Sequence, residues 1–227
     1  MGRFIASFTI AQFFWRLGEW GVVVSGRIFL LSPANAGGKR FSFLMRDGAS
    51  FDVANKLRQG VATIGEVYSF VSGLYFRGKV AYAEAFAAAP TGRPAVLVIL
   101  PGRGLVAPET RVSMDDLRAI AEVDVDEENA IFRDALYNAA KQLDEQVGGV
   151  CSYVLLGSVA SAKYTAPLLE VFGQRLLFPN DFVGRGDMSR GGLMLRCADA
   201  KTELAYVPVQ GAKLRGARPE KLDAWRK

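Results

Sequence analysis

The seven residues "AVLVILP", from Ala95 to Pro101, decide the fold predicted for this 227-residue chain. Valine, leucine and isoleucine follow one another without a polar break, and a proline ends the run. A short run that is apolar on both faces is typical of a strand buried on both sides in a parallel sheet. Apolar runs at residues 27–31 and 150–157 predict two more such strands, lying side by side with the first.

Helical patterns separate these strands along the chain. They cover residues 50–60, 79–90, 113–123, 127–147 and 162–173. Ser50 is placed to cap the first of them, and Ser113 with Asp116 forms a capping box. Gly192–Val209 has the pattern of two strands joined by a polar turn. The sequence therefore predicts a single three-layer α/β domain, in which helices flank a mixed sheet and a C-terminal antiparallel hairpin closes it.

The domain is predicted to span residues 22–227, with a basic C-terminal segment, and residues 1–21 to be an N-terminal extension or peripheral helix. Phe4–Trp20 is apolar and aromatic, but Arg16 and Glu19 interrupt it and it is short for a membrane span. The segment also lacks the small-residue cleavage site of a signal peptide. We expect no membrane span, and a domain that keeps its core activity without the extension.

The chain contains no histidine, which excludes a Ser-His-Asp triad and a Cys-His pair. Its two cysteines, Cys151 and Cys197, cannot close a zinc shell, and their apolar surroundings are typical of free thiols in a reducing cytoplasm. Gly102 and Gly104 match the glycine spacing of a dinucleotide-binding fingerprint. Pro108, however, lies where that fingerprint requires a helix, which proline would interrupt. No metal site and no cofactor are predicted, although carboxylates alone can bind magnesium.

Charge is distributed unevenly along the chain, whose formal net charge is +5. Residues 109–146 hold eleven acidic and four basic side chains, whereas residues 175–227 hold eleven basic and six acidic ones. Such asymmetry predicts a basic face that binds a polyanion and an acidic face turned to solvent. The alternative is a basic segment that serves only solubility.

Four loops follow the carboxyl ends of predicted strands, which is where open α/β sheets bind ligands. They lie in Leu30–Arg40, Leu100–Thr110, Leu155–Tyr164 and the glycine-rich stretch Phe178–Leu195. Backbone amides together with basic side chains hold phosphates. The predicted nucleic-acid-binding residues are Lys39, Arg40, Arg103, Lys163, Arg185, Arg190 and Arg196. The predicted base pocket, which draws on the aromatic segment Val67–Phe76 for a stacking surface, consists of Ser32, Asn35, Tyr75, Ser158 and Tyr164.

Five segments, in chain order, resemble the YaaA peroxide-stress family. They are "LLSPAN" (residues 30–35), similar to its SPAK-type start; "LYFRGKVAY" (74–82); "ILPGRGLVAP" (99–108), similar to its LSGLYGLLxP stretch; "LLGSVASAKY" (155–164), similar to its NLAS-x-EY stretch; and "SRGGLMLR" (189–196), similar to its ARGLMAR stretch. Asn35 stands where the family has lysine, and residues 196–207 read as a hairpin where the family continues as helix. The resemblance implies a basic cleft that binds DNA and a link to oxidative DNA or iron stress.

Cleavage of an N-glycosidic bond needs no histidine, because a carboxylate can stabilise the sugar cation and orient water. The predicted catalytic carboxylate is Asp187, which lies between Arg185 and Arg190 in the glycine-rich stretch; its rivals are Asp181, Glu66 and Glu109. The leading hypothesis is a DNA N-glycosylase that flips a modified or damaged base into the pocket, with weak sequence specificity. The alternatives are a non-catalytic YaaA-like DNA-binding stress protein and a nucleoside-processing enzyme with a free small substrate. For the stretch itself, the alternative is a structural turn braced by an Arg–Asp pair.

Overall fold

The computed structural model describes residues 15–16, 23–24 and 26–222. Over these residues the chain forms one α/β domain, in which helices cover both faces of a six-stranded mixed sheet. The predicted fold class, a single three-layer domain, is confirmed. Residues 15–16 and 23–24 form a separate two-stranded antiparallel ribbon.

The strands are β1 (Trp15–Arg16), β2 (Val23–Val24), β3 (Gly26–Leu31), β4 (Val96–Leu100), β5 (Gly104–Val106), β6 (Cys151–Leu156), β7 (Leu176–Pro179) and β8 (Tyr206–Pro208). Their order in the main sheet is β5-β4-β3-β6-β7-β8. The four inner strands are parallel, and β5 and β8 are antiparallel edges. Leu30 of β3 is level with Leu97 of β4 and with Leu155 of β6. The prediction that these three strands lie side by side is thus confirmed.

The helices are α1 (Lys39–Leu44), α2 (Asp52–Arg58), α3 (Ile64–Ser72), α4 (Leu74–Phe86), α5 (Met114–Ala121), α6 (Ala130–Gln146), α7 (Ala162–Phe172) and α8 (Asp187–Ala200). Alternate side chains of β3 serve the two faces of the sheet. Phe29 and Leu31 belong to the core shared with α1 to α5 and α8, whereas Ile28 and Leu30 belong to the core shared with α6 and α7.

The predicted helix starts are partly right. Ser113 and Asp116 form the expected capping box at the start of α5. Ser50 does not cap α2, because the helix begins one residue later than predicted, with Phe51 at the N-cap position and no side-chain cap. A second capping box, in which Thr63 and Glu66 start α3, was not predicted from the sequence.

The predicted C-terminal hairpin is wrong in its first strand. Residues 187–200 form α8, and only Tyr206–Pro208 is a strand, paired antiparallel with β7. The alternating apolar letters near Gly192 suggested a strand, but the buried positions of α8 are Arg190, Gly191, Met194 and Ala198. This spacing of three to four residues is the helical period, and it turns one face of α8 towards α4.

Little of the predicted N-terminal extension lies within the described residues. Trp15–Arg16 has strand conformation and pairs with Val23–Val24, so that these two residues are not helical. The rest of the predicted peripheral helix, within residues 1–21, lies outside the described residues. In the part of the chain that the structure describes, no helix is both long and apolar enough to cross a membrane.

Candidate active site at the carboxyl end of the sheet

A cavity of about 600 Å³ opens at the carboxyl ends of β3, β4 and β6. The chain leaves β3 for β4 on one side and β6 lies on the other, so this is the switch point where doubly wound sheets bind ligands. Ser32 follows β3 and Ser158 follows β6, and both line the space. We call it the carboxyl-end cavity; its polar lining consists of Ser32, Asn35, Tyr68, Ser72, Tyr75, Asp124, Ser158, Lys163, Tyr164 and Asp187.

All five residues predicted to form a base pocket line this cavity: Ser32, Asn35, Tyr75, Ser158 and Tyr164. They come from loops after β3 and β6 and from α4 and α7, which are separated in sequence. Asn35 accepts a hydrogen bond from the Gly37 amide at 2.9 Å and stays exposed. The topology therefore gathers them in one place, as the strand-end argument expects.

The predicted stacking surface divides between the core and the cavity. Tyr68 and Tyr75 line the cavity wall, whereas Phe76 is fully buried and meets the Tyr68 ring edge-on at 5.3 Å. Tyr164 lines the cavity from another element, α7. Burial raises the pKa of each of the three tyrosines, so their hydroxyls stay protonated at neutral pH.

The predicted nucleic-acid-binding cations are not all free to meet a phosphate. Lys163 lines the cavity, and Lys39 and Arg40 are exposed at the start of α1, although Arg40 donates to the Phe70 carbonyl at 3.3 Å. Arg103 is paired with Asp116, whose pKa is lowered to about 2 by the Ser113 cap and by this ion pair.

The arginines of the glycine-rich stretch brace the structure. Arg190 is only 9% exposed and donates from two nitrogens to the Phe182 carbonyl, at 3.0 and 3.2 Å. It is therefore an internal brace and not the surface cation that the sequence predicted. Arg185 donates to the Asp181 and Glu220 carbonyls, which ties the loop to the C-terminal segment. Arg196 is half-buried on α8.

Asp187 is the one predicted catalytic carboxylate that lines the cavity. It is the first residue of α8 and is exposed. Among its rivals, Glu66 is held by the α3 capping box and by Lys56, and Asp181 and Glu109 lie elsewhere on the surface. Asp124, also exposed, lines the cavity as well and was not predicted as a site residue.

Lys79 is a buried cation next to the cavity that the sequence did not reveal as a site residue. It is 1% exposed, and its Nζ donates to the carbonyl and Oγ of Ser32 at 2.8 and 2.7 Å. The Nζ also lies 4.1 Å from the centre of the Tyr75 ring. Burial lowers the pKa of Lys79 to about 7, with Asp187 opposing and Arg190 adding to the shift. The sequence carries no local signal for its burial, because a lysine in an amphipathic helix is usually exposed.

The Tyr75 hydroxyl is buried and has no hydrogen-bond partner among the described residues. Burial raises the pKa of Tyr75 to about 12. The Arg190 guanidinium lowers this pKa and lies close to the hydroxyl, but without the geometry of a hydrogen bond, and the charge of Asp187 raises it. Buried polar groups normally have partners, and an orphan calls for an explanation such as a missing ligand. A ligand in the cavity would supply one.

Gly191 of the glycine-rich stretch and Gly78 of α4 bring these charges together. A Cβ on Gly191 would lie 2.8 Å from the Leu74 carbonyl oxygen and from the Tyr75 Cα, and a Cβ on Gly78 would lie 2.6 Å from the Gly191 carbonyl oxygen. Helices α4 and α8 therefore pack backbone against backbone at this point, which only glycine permits. The close contact carries Asp187 and Arg190 of α8 to Tyr75 and Lys79 of α4. From Asp187 onward the stretch forms α8 and contacts α4. This part is not the pliable phosphate loop that its glycine content suggested.

Comparisons with protein-family models, curated proteins and solved structures find no match to this chain. The YaaA-type resemblance thus depends on the five short motifs alone. Within the described ranges, no group of three or more Cys, Asp or Glu side chains is arranged to hold a metal ion. The chemistry of the cavity is that of carboxylates, hydroxyls, an amide, aromatic rings and a lysine.

Proposed function

We propose that the protein binds DNA and hydrolyses the N-glycosidic bond of a modified or damaged base in the carboxyl-end cavity. The observation that carries this proposal is the composition of the cavity. It combines two carboxylates, of which Asp187 is the predicted catalytic one and Asp124 the other, with three tyrosines and with the hydroxyl and amide groups of Ser32, Ser158 and Asn35. Aromatic walls with a few hydrogen-bonding groups are what a flipped base requires.

Asp187 has the role of stabilising positive charge. Breaking the C1′–N bond leaves a sugar cation, and a carboxylate beside it lowers the barrier by electrostatics and by orienting the attacking water. Neither task needs a histidine, which the chain lacks. Removing one such preorganised group typically slows a reaction by about 10²–10³.

Three cations near the cavity, of which Lys163 is half-buried and Lys39 and Arg40 are exposed, support binding to a phosphate backbone. Lys163 stands on the cavity wall, and Lys39 and Arg40 follow Gly37, another lining residue. Contacts of this kind read phosphates and not base edges, so the proposed DNA binding is weakly sequence-specific and sensitive to salt. The slope of log K against log salt should fall by about one in Lys163→Ala, and not in Lys141→Ala, which removes an exposed cation of α6.

The YaaA-type resemblance supports the same assignment. Four of its five motifs contribute lining residues to the cavity, and the fifth begins two residues after Asp187. Of residues 196–207, which the resemblance implies to be helical, 196–200 are the end of α8 and 206–207 lie in a strand. Both cysteines are free thiols, in keeping with the proposed cytoplasmic location.

A second candidate function is the processing of a free nucleoside or nucleotide. It is favoured by the engagement of Arg103, Arg185 and Arg190 in contacts within the protein, which leaves fewer cations for a long polyanion. A small substrate would need the cavity and Lys163 but not an extended basic surface.

The test is to measure base release from both kinds of substrate. Duplex oligonucleotides that carry uracil, hypoxanthine or 8-oxoguanine are incubated with the full chain, beside the matching free deoxynucleosides, and released bases are identified by mass spectrometry. Release from duplexes alone supports the glycosylase, and release from nucleosides alone supports the second candidate. DNA binding without any release would contradict both, in favour of the non-catalytic alternative.

A further inference from the structure

Lys79 donates a hydrogen bond to the hydroxyl of Ser32 and so fixes its position. The lysine Nζ donates to Ser32 Oγ at 2.7 Å and to the Ser32 carbonyl at 2.8 Å. An ammonium has three hydrogens and a neutral amine two, so Lys79 can make both bonds in either protonation state. The lysine thus occupies an acceptor position of the Ser32 hydroxyl, and the hydroxyl still has its hydrogen to offer.

That hydrogen has no acceptor within the described part of the chain, where the contact with Lys79 is the only hydrogen bond that Ser32 Oγ makes. Ser32 lines the cavity. Gly157, just after the end of β6, lies so close that an added Cβ would be 2.8 Å from the Ser32 Cβ, which leaves the serine no space on that side. The hydroxyl thus offers a hydrogen-bond donor to whatever occupies the cavity.

Tyr75 offers a second donor to the same cavity. Its side chain is 6% exposed and lines the cavity, and its hydroxyl is buried without a partner among the residues that the structure describes. Two buried cations, Lys79 against the ring of Tyr75 and Arg190 near its hydroxyl, make this wall electropositive. A donor pair backed by positive charge matches an electron-rich oxygen and repels an amino group.

We propose that Ser32 and Tyr75 form a donor pair that selects a nucleobase by its exocyclic carbonyl oxygen, with Lys79 as the positioning residue for Ser32. The substrate class is then a base with a carbonyl oxygen on C6 of a purine or C4 of a pyrimidine, such as hypoxanthine or uracil. Adenine and cytosine carry an amino group at that position and are rejected, although cytosine keeps its carbonyl on C2. This inference rests on the proposed function for its chemistry, because it takes the ligand of the cavity to be a nucleobase.

The donor pair also fits the leaving group of the reaction. When the C1′–N bond breaks, its electron pair departs with the base, and the negative charge spreads over the ring onto the carbonyl oxygen. Donors placed at that oxygen bind the departing anion more tightly than the neutral base. Water adds to C1′ and its proton neutralises the base, so that no group of the protein changes its protonation state over the cycle.

Binding of free bases tests this selection without relying on catalysis. Hypoxanthine and adenine share their ring skeleton and differ at the exocyclic group on C6, an oxygen or an amino group. Titration calorimetry of the full chain should find hypoxanthine bound at least about tenfold more tightly than adenine, since a site built on donors leaves them unpaired against an amino group. Uracil and cytosine form a second pair with the same expected order.

Substitutions test which residues cause the preference for hypoxanthine over adenine. Ser32→Ala, Tyr75→Phe and Lys79→Met should each lower the hypoxanthine-to-adenine affinity ratio by about tenfold, which abolishes a tenfold preference. Ser152→Ala and Tyr153→Phe are the matched controls, because they remove buried hydroxyls near the other end of β6. Both should keep the ratio of the wild type. If Lys79→Met does not fold, the ratio in Ser32→Ala decides.

The outcomes separate the two proposals. A keto preference in binding without base release from any substrate would refute the proposed reaction and support the donor pair. Base release with equal affinity for hypoxanthine and adenine would refute the donor pair alone. Absence of binding by all four bases, or a ratio that Ser32→Ala and Tyr75→Phe leave unchanged, would overturn this inference.

Discussion

The buried tyrosines at the two ends of the parallel strands differ in the hydrogen bonds that their hydroxyls make. At the amino end, the Tyr153 hydroxyl donates to Asp144 at 2.7 Å, and Arg175 completes the cluster with a 2.6 Å bond to the second carboxylate oxygen. At the carboxyl end, the Tyr75 hydroxyl has no partner among the described residues, and Lys79 is bonded to neutral oxygens of Ser32. The Tyr153 cluster is completed by side chains of the protein, whereas the Tyr75 hydroxyl lies beside a cavity.

This difference separates polar groups that serve the fold from polar groups that serve a ligand. A buried donor without a partner costs about 1–3 kcal/mol, and a buried cation without a carboxylate costs more. The hydrogen bonds of the Tyr153, Asp144 and Arg175 cluster are satisfied within the protein and need no ligand to explain them. At the carboxyl end, in the core on the other face of the sheet, the orphaned Tyr75 hydroxyl lies beside a cavity, so we infer that the missing partner is the ligand.

The sharpest test of the comparison is to remove each hydroxyl. Tyr153→Phe should lower the free energy of unfolding by about 1.5–3 kcal/mol, because it breaks a hydrogen bond to a charged group and leaves Asp144 short of a donor. Tyr75→Phe removes an unpaired hydroxyl and should leave stability unchanged or raise it by up to about 1 kcal/mol. Urea unfolding of both variants measures the difference. Equal losses would show that the Tyr75 hydroxyl has a partner in the free protein.

The helix contact beside the carboxyl-end cavity is tested by neighbouring glycines of α8. Gly191→Ala forces a Cβ against the backbone of α4 and should cost about 1–3 kcal/mol. Gly192→Ala meets no atom within 4 Å and should stabilise the helix by about 0.5–1 kcal/mol. Thermal or urea unfolding compares the two. If both substitutions stabilise, α4 and α8 do not pack backbone against backbone.

Lys79 should give stability a pH dependence of its own. Its pKa is about 7 in the folded protein, against an ordinary lysine value of 10.5, so between these two values the unfolded chain binds more protons. Stability therefore rises with pH across this window, by at most about 1.4 kcal/mol per pH unit, and the cost of burying the charge is fully present below pH 7. Urea unfolding at pH 7.5 and 8.5 should show the rise in wild type and its loss in Lys79→Met. An identical rise in both proteins would assign it to other groups.

The sequence predicts the sheet better than the surroundings of the cavity. The strands at 27–31, 95–100 and 150–157 follow from their apolar runs alone, and the carboxyl-end rule then brings Ser32, Ser158 and their neighbours together. Asp187 was found in the same way, although as a loop residue and not as the start of a helix.

What the sequence concealed are contacts between elements that are distant in the chain. Arg190 looks like a surface cation until α8 is placed on α4, and Gly191 looks like loop glycine for the same reason. Lys79 gave no signal of its own burial, because a lysine in an amphipathic helix is usually exposed. Burial of these groups is set by tertiary packing, which the local pattern does not encode.

The most direct test of the central claim is the rate of base release by Asp187→Asn. Asparagine keeps the shape and removes the charge, so release from the best duplex substrate should fall by about 10²–10³, with DNA affinity unchanged or slightly higher. Asp181→Asn, in the same segment but outside the cavity lining, is the matched control and should retain the wild-type rate. An unchanged rate in Asp187→Asn, or an equal loss in both variants, would contradict the assignment of Asp187 as the catalytic carboxylate of the carboxyl-end cavity.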